Sequence, residues 1–321
     1  MIFFTHALHP DVMADLARLG DLRVASAPTA AAIIAESHGA EIIVVRAPIP
    51  PEVIRRETGL RALLRHGAGL DMVPVEDATQ SGVLVTNVPG ANAVTVAEHV
   101  IWTALALLRR YPAVAADLQA MGWNAARAHS DHGQELTGRK LAIIGMGNVG
   151  TALHKIAHHG FAMQTLAVTS RPVALPEGVQ SVTLREALQS CDILALCCPL
   201  TPATTGLIGP AELALMQPHS VLINVARGPV VDEPALIAAL QSGQIGGAAL
   251  DVFQIQPLPA DHPFMAMTNV ILTPHMAGIT DESMRRMGNC VVQQARAILS
   301  GQMPQNLCNP QVWAAYSDPS H

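Results

Sequence analysis

The stretch KLAIIGMGNVGTALHKIAHHG, residues 140–160, decides the fold of the larger part of this chain. An apolar run leads into GMGNVG (145–150), and a helical pattern follows directly. In that context Gly145 makes a tight turn, Gly147 lets the backbone approach a pyrophosphate, and Gly150 packs the helix on the strand. The stretch therefore predicts a strand, a turn and a dinucleotide-binding helix N-terminus, in preference to a tight turn with only a structural role.

Short apolar runs alternate with longer helical segments on both sides of this stretch. Before it come IFFTHA, LRVASA, IIVV, LRALLRHG and GVLVTNV, and from residue 140 onward come KLAIIG, TLAV, DILAL, VLINVA, GAALDV and NVILTP. This alternation is typical of parallel α/β sheets. With 321 residues, two domains are expected. We expect an α/β protein with two Rossmann-like or flavodoxin-like doubly wound parallel sheets and a cleft between them.

A long helix is expected to join the two domains. From Val94 to Arg110 the apolar residues recur at spacings of three and four. After Asp281 a helical pattern returns, and we expect it to pack back on the first domain. The predicted domains are a discontinuous substrate domain, residues 1–98 with 286–321, and a dinucleotide-binding domain, residues 99–285.

Composition excludes several classes of function. The formal charge is −6 and Lys and Arg do not cluster, so nucleic acid is not an expected partner. Five cysteines lack any zinc-ligand spacing, so no metal site is predicted. The N-terminus does not resemble a signal peptide, and no apolar window is long enough for a membrane span. We expect a cytoplasmic protein without a membrane partner.

The strand TLAV should show which dinucleotide binds. An acid at its end would bind an adenine-ribose diol, but the chain continues with Thr169, Ser170 and Arg171. A hydroxyl and a guanidinium suit a 2′-phosphate. The sequence therefore favours NADP(H) over NAD(H), against the alternative of a solvated loop arginine.

Three later strands each end in a reactive side chain. VLINVA leads to Arg227, GAALDV ends at Asp251 with Gln256 just beyond, and NVILTP leads to His275. Taken singly, such residues are more often surface or capping groups. Because ligands of open parallel sheets bind at the carboxyl ends of the strands, we expect these side chains to converge on one site.

Seven motifs in order resemble one known family. They are HGAGLD (66–71), TNVPGANAVTVAEH (86–99), ELTGRKLAIIGMGNVG (135–150), CPLTPATTGLIG (198–209), INVARGPVVDE (223–233), DVFQIQPLPADHP (251–263) and TPHMAG (273–278). Together they resemble the D-isomer-specific 2-hydroxyacid dehydrogenases, which include phosphoglycerate, glyoxylate and hydroxypyruvate enzymes. The resemblance implies NAD(P)-dependent reduction of a 2-keto acid to a D-2-hydroxy acid, and a homodimer built partly on the long helix after residue 94.

The resemblance also implies roles for individual residues. Arg227 would hold the substrate carboxylate and polarise the carbonyl, and His275 would be the acid/base. The backbone of Gly67, Ala68 and Gly69 would help to bind the carboxylate, with Arg46 as an addition. The implied cofactor-binding residues are Gly145, Gly147, Asn148, Val149, Gly150, Ser170, Arg171, Cys198, Pro199, Val225, Asp251 and Gly278.

Two of these assignments are more specific. Cys198 and Pro199 would line the ribose and phosphate side of the cofactor, and Asp251 would face the nicotinamide carboxamide. The plain alternative for Cys198 is a small buried thiol, so a contact there need not use its sulfur.

Gln256 departs from the family pattern, which has a glutamate at this position to orient the histidine. A glutamine carbonyl still accepts a ring N–H, but it adds no full charge to stabilise an imidazolium. The same Gln/His pair is associated with formate dehydrogenases of this superfamily, so formate oxidation is a rival hypothesis. A binding protein is another, either an NADP(H) sensor or a corepressor-like protein. Gln254 is expected to be solvated.

Overall fold

A computed structural model describes residues 1–170 and 175–316. The chain forms two compact units. Unit 1 comprises Met1–Asn92 and Ile279–His321, and unit 2 comprises Ala93–Gly278. The sequence placed these bounds at residues 98/99 and 285/286. They differ because one whole helix begins at Ala93 and belongs to unit 2, and another begins at Asp281 and belongs to unit 1.

Unit 1 begins with alternating strands and helices. In chain order they are β1 (Ile2–Phe4), α1 (Pro10–Ala17), β2 (Leu22–Val24), α2 (Ala30–Glu36), β3 (Ile42–Val45), α3 (Pro51–Arg56), β4 (Ala62–Arg65), α4 (Val75–Gln80) and β5 (Leu84–Thr86). The strands are all parallel, in the order β2-β1-β3-β4-β5. This is the doubly wound order 2-1-3-4-5, so the predicted fold class is confirmed for this unit.

Unit 2 begins with three helices and continues with the second alternating series. Its elements are α5 (Ala93–Leu108), α6 (Tyr111–Ala120), α7 (Trp123–Ala128), β6 (Lys140–Ile144), α8 (Asn148–Phe161), β7 (Gln164–Val168), β8 (Val179–Ser181), α9 (Leu184–Ser190), β9 (Ile193–Leu196), α10 (Pro210–Leu213), β10 (Val221–Asn224), α11 (Glu233–Gln241), β11 (Gly247–Leu250) and β12 (Val270–Leu272). The strands are again parallel, in the order β12-β11-β10-β9-β6-β7-β8.

This order is that of a dinucleotide-binding sheet. Numbered from its first strand it is 7-6-5-4-1-2-3, so the winding direction reverses between β6 and β9. All six strands expected in this part of the sequence are present. The short strand β8 was not expected, because its residues, VQS, are polar, partly or fully exposed, and lie at the edge of the sheet.

The chain then returns to unit 1 with α12 (Asp281–Leu299) and α13 (Gln311–Tyr316). The side chain of Thr280 caps α12 by accepting from Ser283 N. Asn309 ties the returning segment to β5, because its Oδ1 accepts from Val85 N at 2.8 Å. Within the described residues, none of the helices combines the length and the apolar character required to span a bilayer.

Alternate residues of the unit 1 strands face opposite helical layers. Even-numbered side chains such as Phe4, Val44 and Leu64 pack with residues of α1 and α12. Odd-numbered side chains such as Ile43 and Leu63 pack with residues of α2, α3 and α4. Along β1, β3 and β4, even-numbered residues therefore face α1 and α12, and odd-numbered residues face α2, α3 and α4.

Two glycines of α8 give a matched test of its packing. A Cβ on Gly150 would lie 2.4 Å from Gly145 O, whereas one on Gly160 would have no neighbour within 4 Å. We expect Gly150→Ala to lower the free energy of unfolding by about 1–3 kcal/mol. Gly160→Ala should raise it by up to about 1 kcal/mol, because alanine favours the helix. Urea denaturation of both variants measures the contrast, and equal effects would contradict this packing.

Candidate active site

The glycine-rich loop lies where the winding of the unit 2 sheet reverses. Gly145 follows β6 with φ +98°, a backbone conformation that favours glycine. A Cβ there would lie 2.7 Å from the Cα of Cys198, which follows β9. The ends of β6 and β9 are therefore in direct contact, at the place where open α/β sheets bind nucleotides.

The start of α8 has the room that a pyrophosphate requires. Gly147 is the N-cap residue of this 14-residue helix, and a Cβ built on it meets nothing within 4 Å. Asn148 and Val149 open the first turn, where amide groups lack intrahelical acceptors and the helix dipole is positive. These residues fit the phosphates of a dinucleotide.

The loop after β9 is held by its own hydrogen bonds. Pro199 O accepts from Thr204 Oγ1 at 2.7 Å. The Cys198 side chain is buried next to the glycine-rich loop, and burial raises the pKa of both the Cys197 and the Cys198 thiol. Both sulfurs therefore stay protonated near neutral pH, so this loop acts through its shape and backbone.

The residues expected to distinguish the two dinucleotides follow β7. Ser170 is exposed and Thr169 half-buried at the carboxyl end of this strand. Arg171 lies outside the described residues, so its contact with a 2′-phosphate stays a prediction.

The turn that carries Arg227 is fixed by a buried amide. Asn224, the last residue of β10, accepts from Ala226 N through Oδ1 and donates to Arg227 O through Nδ2, both at 3.0 Å. Arg227 Nη1 donates to Ala226 O at 2.7 Å. Val225, a predicted cofactor contact, is half-buried in the same turn. Arg227 is half-buried and lies at the carboxyl edge of the sheet.

Asp251 organises the loop that follows β12. Its carboxylate is buried and accepts three hydrogen bonds, from Thr273 Oγ1 at 2.6 Å, Met276 N at 2.8 Å and Ala277 N at 2.9 Å. Its carbonyl oxygen accepts from His275 N at 2.9 Å. These bonds give the Asp251 carboxylate a positioning role in this loop, whereas its contact with a nicotinamide carboxamide stays a prediction.

His275 lies within the loop that Asp251 holds. Its φ is +54°, an uncommon conformation for a residue with a side chain, and the backbone bonds of the loop maintain it. The imidazole is exposed, and its Nδ1 lies 3.2 Å from Gln256 Oε1. Gly278, also predicted to contact the cofactor, is half-buried at the end of the loop.

A second hydrogen bond sets the orientation of the Gln256 amide. Its Nε2 donates to Phe253 O at 3.4 Å, which leaves Oε1 toward His275. In the neutral imidazole, Nδ1 is then the donor and Nε2 has the lone pair. Gln254 is exposed, as expected, but it is not only solvated, because its Nε2 donates to Val231 O at 3.1 Å.

His99 belongs to this network and was missed by the sequence reasoning. Its Nε2 lies 3.3 Å from Thr273 Oγ1, the hydroxyl that donates to Asp251. Burial lowers the pKa of His99, and the Asp251 carboxylate acts in the opposite direction. The only signal in the sequence was its place in the motif TNVPGANAVTVAEH, because it lies on helix α5 and not at a strand end.

Of the predicted substrate-binding residues of unit 1, the three of the motif HGAGLD form the loop after β4, and Arg46 follows β3. Gly67 N donates to Arg65 O at 2.9 Å, so this amide is already used inside the loop. The carbonyls of Ala68 and Gly69 accept from Asn87 Nδ2 and Arg65 Nε, at 2.7 and 3.0 Å. These two hydrogen bonds hold the loop against the side chains of Asn87 and Arg65.

Comparison with known proteins identifies the family. Residues 101–277, more than half of the chain, match the sequence model described as D-isomer specific 2-hydroxyacid dehydrogenase, NAD binding domain. The chain belongs to this family. A D-3-phosphoglycerate dehydrogenase from Methanocaldococcus jannaschii is 35% identical over 314 residues, which is 96% of this chain. The chain spans 59% of that relative's length.

Two other relatives match this chain over most of their own lengths. Glyoxylate/hydroxypyruvate reductase B from Yersinia enterocolitica is 36% identical over 262 residues, 81% of this chain and 80% of that protein. The crystal structure of an NADPH-dependent glyoxylate/hydroxypyruvate reductase from Sinorhizobium meliloti has a TM-score of 0.84 at 27% identity, and it covers 98% of both chains. The predicted family is therefore confirmed.

Proposed function

We propose that this dehydrogenase reduces a 2-keto acid to the D-2-hydroxy acid with a nicotinamide cofactor. The observation that carries the proposal is the set of side chains at the carboxyl edge of the unit 2 sheet. Arg227 follows β10, and the 3.2 Å contact joins His275, after β12, to Gln256, after β11. A cation and an acid/base are the groups that carbonyl reduction requires.

The protein groups have distinct tasks in the proposed reaction. A dihydronicotinamide cofactor held at the start of α8 would supply the hydride for the keto carbon. Arg227 binds the substrate carboxylate with its fork of donors and polarises the carbonyl. His275 gives the proton at Nε2 to the developing alkoxide, because the Gln256 amide engages Nδ1. Gln256 orients the ring without touching the reacting atoms.

Gln256 changes the electrostatics of the proton step. A glutamate would place a negative charge beside the imidazolium, whereas an amide oxygen offers only a dipole. The ring orientation is therefore kept while the protonated form of His275 is stabilised less. We infer that this enzyme reduces ketones best at a lower pH than a relative with glutamate in this position.

We also propose that NADP(H) is preferred over NAD(H). The residues after β7, Thr169 and Ser170 followed by Arg171, include no carboxylate for an adenine-ribose diol. The S. meliloti reductase, which is described as NADPH-dependent, has the same fold over 98% of this chain.

A homodimer is proposed from the surface of α5, α6 and α7. Large apolar side chains are exposed there, namely Trp102, Tyr111, Leu118, Met121 and Trp123. Exposed apolar patches of this kind mark association surfaces. A light-scattering mass near twice 33.8 kDa would support the dimer, and a monomer mass at micromolar concentration would contradict it.

Formate oxidation is the second candidate, favoured by the contact between Gln256 and His275. Hydride loss from formate leaves carbon dioxide and needs no proton transfer, so a neutral partner for the histidine would suffice. Against it, Arg46 and the loop 66–71 suit a 2-keto acid better, as the resemblance implies.

A substrate panel tests the proposed function. Purified protein with NADPH or NADH should consume the reduced cofactor, measured at 340 nm, with glyoxylate, hydroxypyruvate or a longer 2-keto acid. Formate with NADP⁺ or NAD⁺ should give no reduction. Formate-dependent cofactor reduction without ketone reduction would favour the second candidate. Tight cofactor binding without any turnover would favour a sensor or corepressor-like protein.

The role of Gln256 is tested by the pH dependence of the reduction. In Gln256→Glu the added charge keeps His275 protonated to higher pH, so the limb on which kcat/KM falls should move upward by about one unit. Gln254→Glu is the matched control, because it adds the same charge without contacting His275, and its limb should move less. An unchanged pH profile for Gln256→Glu would contradict the role.

A further inference from the structure

The segment of unit 2 that carries Gln256 is largely exposed, so burial alone does not hold it. We call residues 254–262, which follow β11, the Gln256 loop. Most of its side chains are exposed, and Leu258 is the member that packs against the apolar core. Because exposed loops are more mobile than the elements that they connect, the 3.2 Å contact between Gln256 Oε1 and His275 Nδ1 requires anchors near the ends of this loop.

One buried carboxyl group contacts both ends of the Gln256 loop. Glu233, the first residue of α11, is only 8% exposed. Its Oε1 accepts from Gln254 N, and its Oε2 lies 3.7 Å from His262 Nε2. His262 Nδ1 accepts from Phe264 N at 3.4 Å, so the proton of the neutral ring is on Nε2 and faces Glu233. Burying a carboxylate is costly unless it has such partners, which indicates that Glu233 is there to hold this loop.

The start of the Gln256 loop also packs directly on the turn that carries Arg227. A Cβ on Gly228 would lie 2.0 Å from Phe253 C and O and 2.5 Å from Gln254 N. Backbone therefore touches backbone at this point. A displacement of Gln254 would change the separation between Gln256 and the Arg227 turn, so the hydrogen bond at Gln254 N bears on the geometry of the whole candidate active site.

We propose that Glu233 is a positioning residue for the proton transfer by His275. It acts through Gln254 N, where it fixes the Gln256 loop against the Arg227 turn. Gln256 Oε1 thereby stays within reach of His275 Nδ1. Glu233 does not touch the reacting atoms. The assignment rests on the proposed function for its effect on rate, whereas its effect on the imidazole can be measured without any reaction.

Three variants separate positioning by Glu233 from an effect of its charge on the imidazolium. Glu233→Gln removes the charge and keeps an acceptor for Gln254 N. Glu233→Asp keeps the charge, but it is one methylene shorter and no longer reaches Gln254 N. Glu233→Ala removes both. Positioning predicts that the Gln variant resembles the wild type and the Asp variant resembles the Ala variant, whereas a charge effect predicts the reverse.

The kinetics of ketone reduction give the first measurement. In Glu233→Ala and Glu233→Asp, kcat should fall roughly tenfold, because a misplaced ring transfers its proton less well. KM for the 2-keto acid should change by less than about twofold, because Asn224 holds the Arg227 turn independently. Glu233→Gln should retain most of the wild-type kcat. An equal loss of kcat in the Gln and Ala variants would overturn the assignment.

The pH profile gives a readout that a merely structural role would not move. Gln256→Glu should shift the limb of kcat/KM upward by about one unit in the wild type and in Glu233→Gln. In Glu233→Ala the new carboxylate is no longer held beside His275, so the shift should fall below about half a unit. The other ionisable side chains of the site are the same in every background, and they are His99, Arg227 and Asp251. Equal shifts in all backgrounds would contradict the positioning role.

Glu186→Ala is the matched control. The Glu186 carboxylate also accepts from a backbone amide of unit 2, Thr183 N at 2.8 Å, but it does so at the start of α9. Its loss should lower the thermal stability and leave both kcat and the shift caused by Gln256→Glu unchanged. Circular dichroism and thermal unfolding establish that each variant is folded. If Glu233→Ala does not fold, the comparison of Glu233→Gln with Glu233→Asp decides in its place.

Nitrogen NMR of His275 separates the positioning role from the proposed reaction. In Glu233→Ala, the form of the neutral ring that is protonated at Nε2 should increase at the expense of the form protonated at Nδ1, and in Glu233→Gln it should not. If no 2-keto acid is reduced, the proposed function fails, and this ratio alone decides: an increase in Glu233→Ala supports the positioning role, and an unchanged ratio overturns it. If ketones are reduced and neither the ratio nor the pH profile responds to Glu233, the positioning role fails and the proposed function stands.

Discussion

The carboxylate of Asp251 is the group on which the candidate active site depends. It is buried at the end of β11, and the loop after β12 closes around it through Thr273 Oγ1, Met276 N and Ala277 N. These three hydrogen bonds hold the carboxylate firmly, because the loss of any one donor would leave a buried charge less well compensated. The left-handed backbone of His275 is therefore maintained by a carboxylate that need not touch the substrate.

Because the loop holds the backbone of His275 in place, the side chain beside its ring determines the tautomer. With His275 held by its backbone, Gln256 selects the ring tautomer through a single amide oxygen. In the proposed reduction, the Gln256 amide keeps the orientation of the ring, but it lacks the charge that would favour the imidazolium. In the proposed reaction, the fold and the site geometry define the reaction class, and the pH range depends on the Gln256 amide.

The sequence predicted the parts of the protein that follow from periodicity. The apolar runs before and after GMGNVG became strands, and the strand ends led to Arg227, Gln256 and His275. The partners of Asp251 were not predictable, because hydrogen bonds across 22 to 26 residues depend on the register of β11 and β12. His99 lies on a helix and not at a strand end, so only its place in the motif TNVPGANAVTVAEH marked it.

The tautomer of His275 tests the central claim most directly. Nitrogen NMR of protein labelled at histidine, with His275→Asn used to assign the signal, reports which ring nitrogen carries the proton. The account predicts a neutral imidazole protonated at Nδ1, donating to Gln256, with a lone pair at Nε2. A neutral imidazole protonated mainly at Nε2 would contradict it.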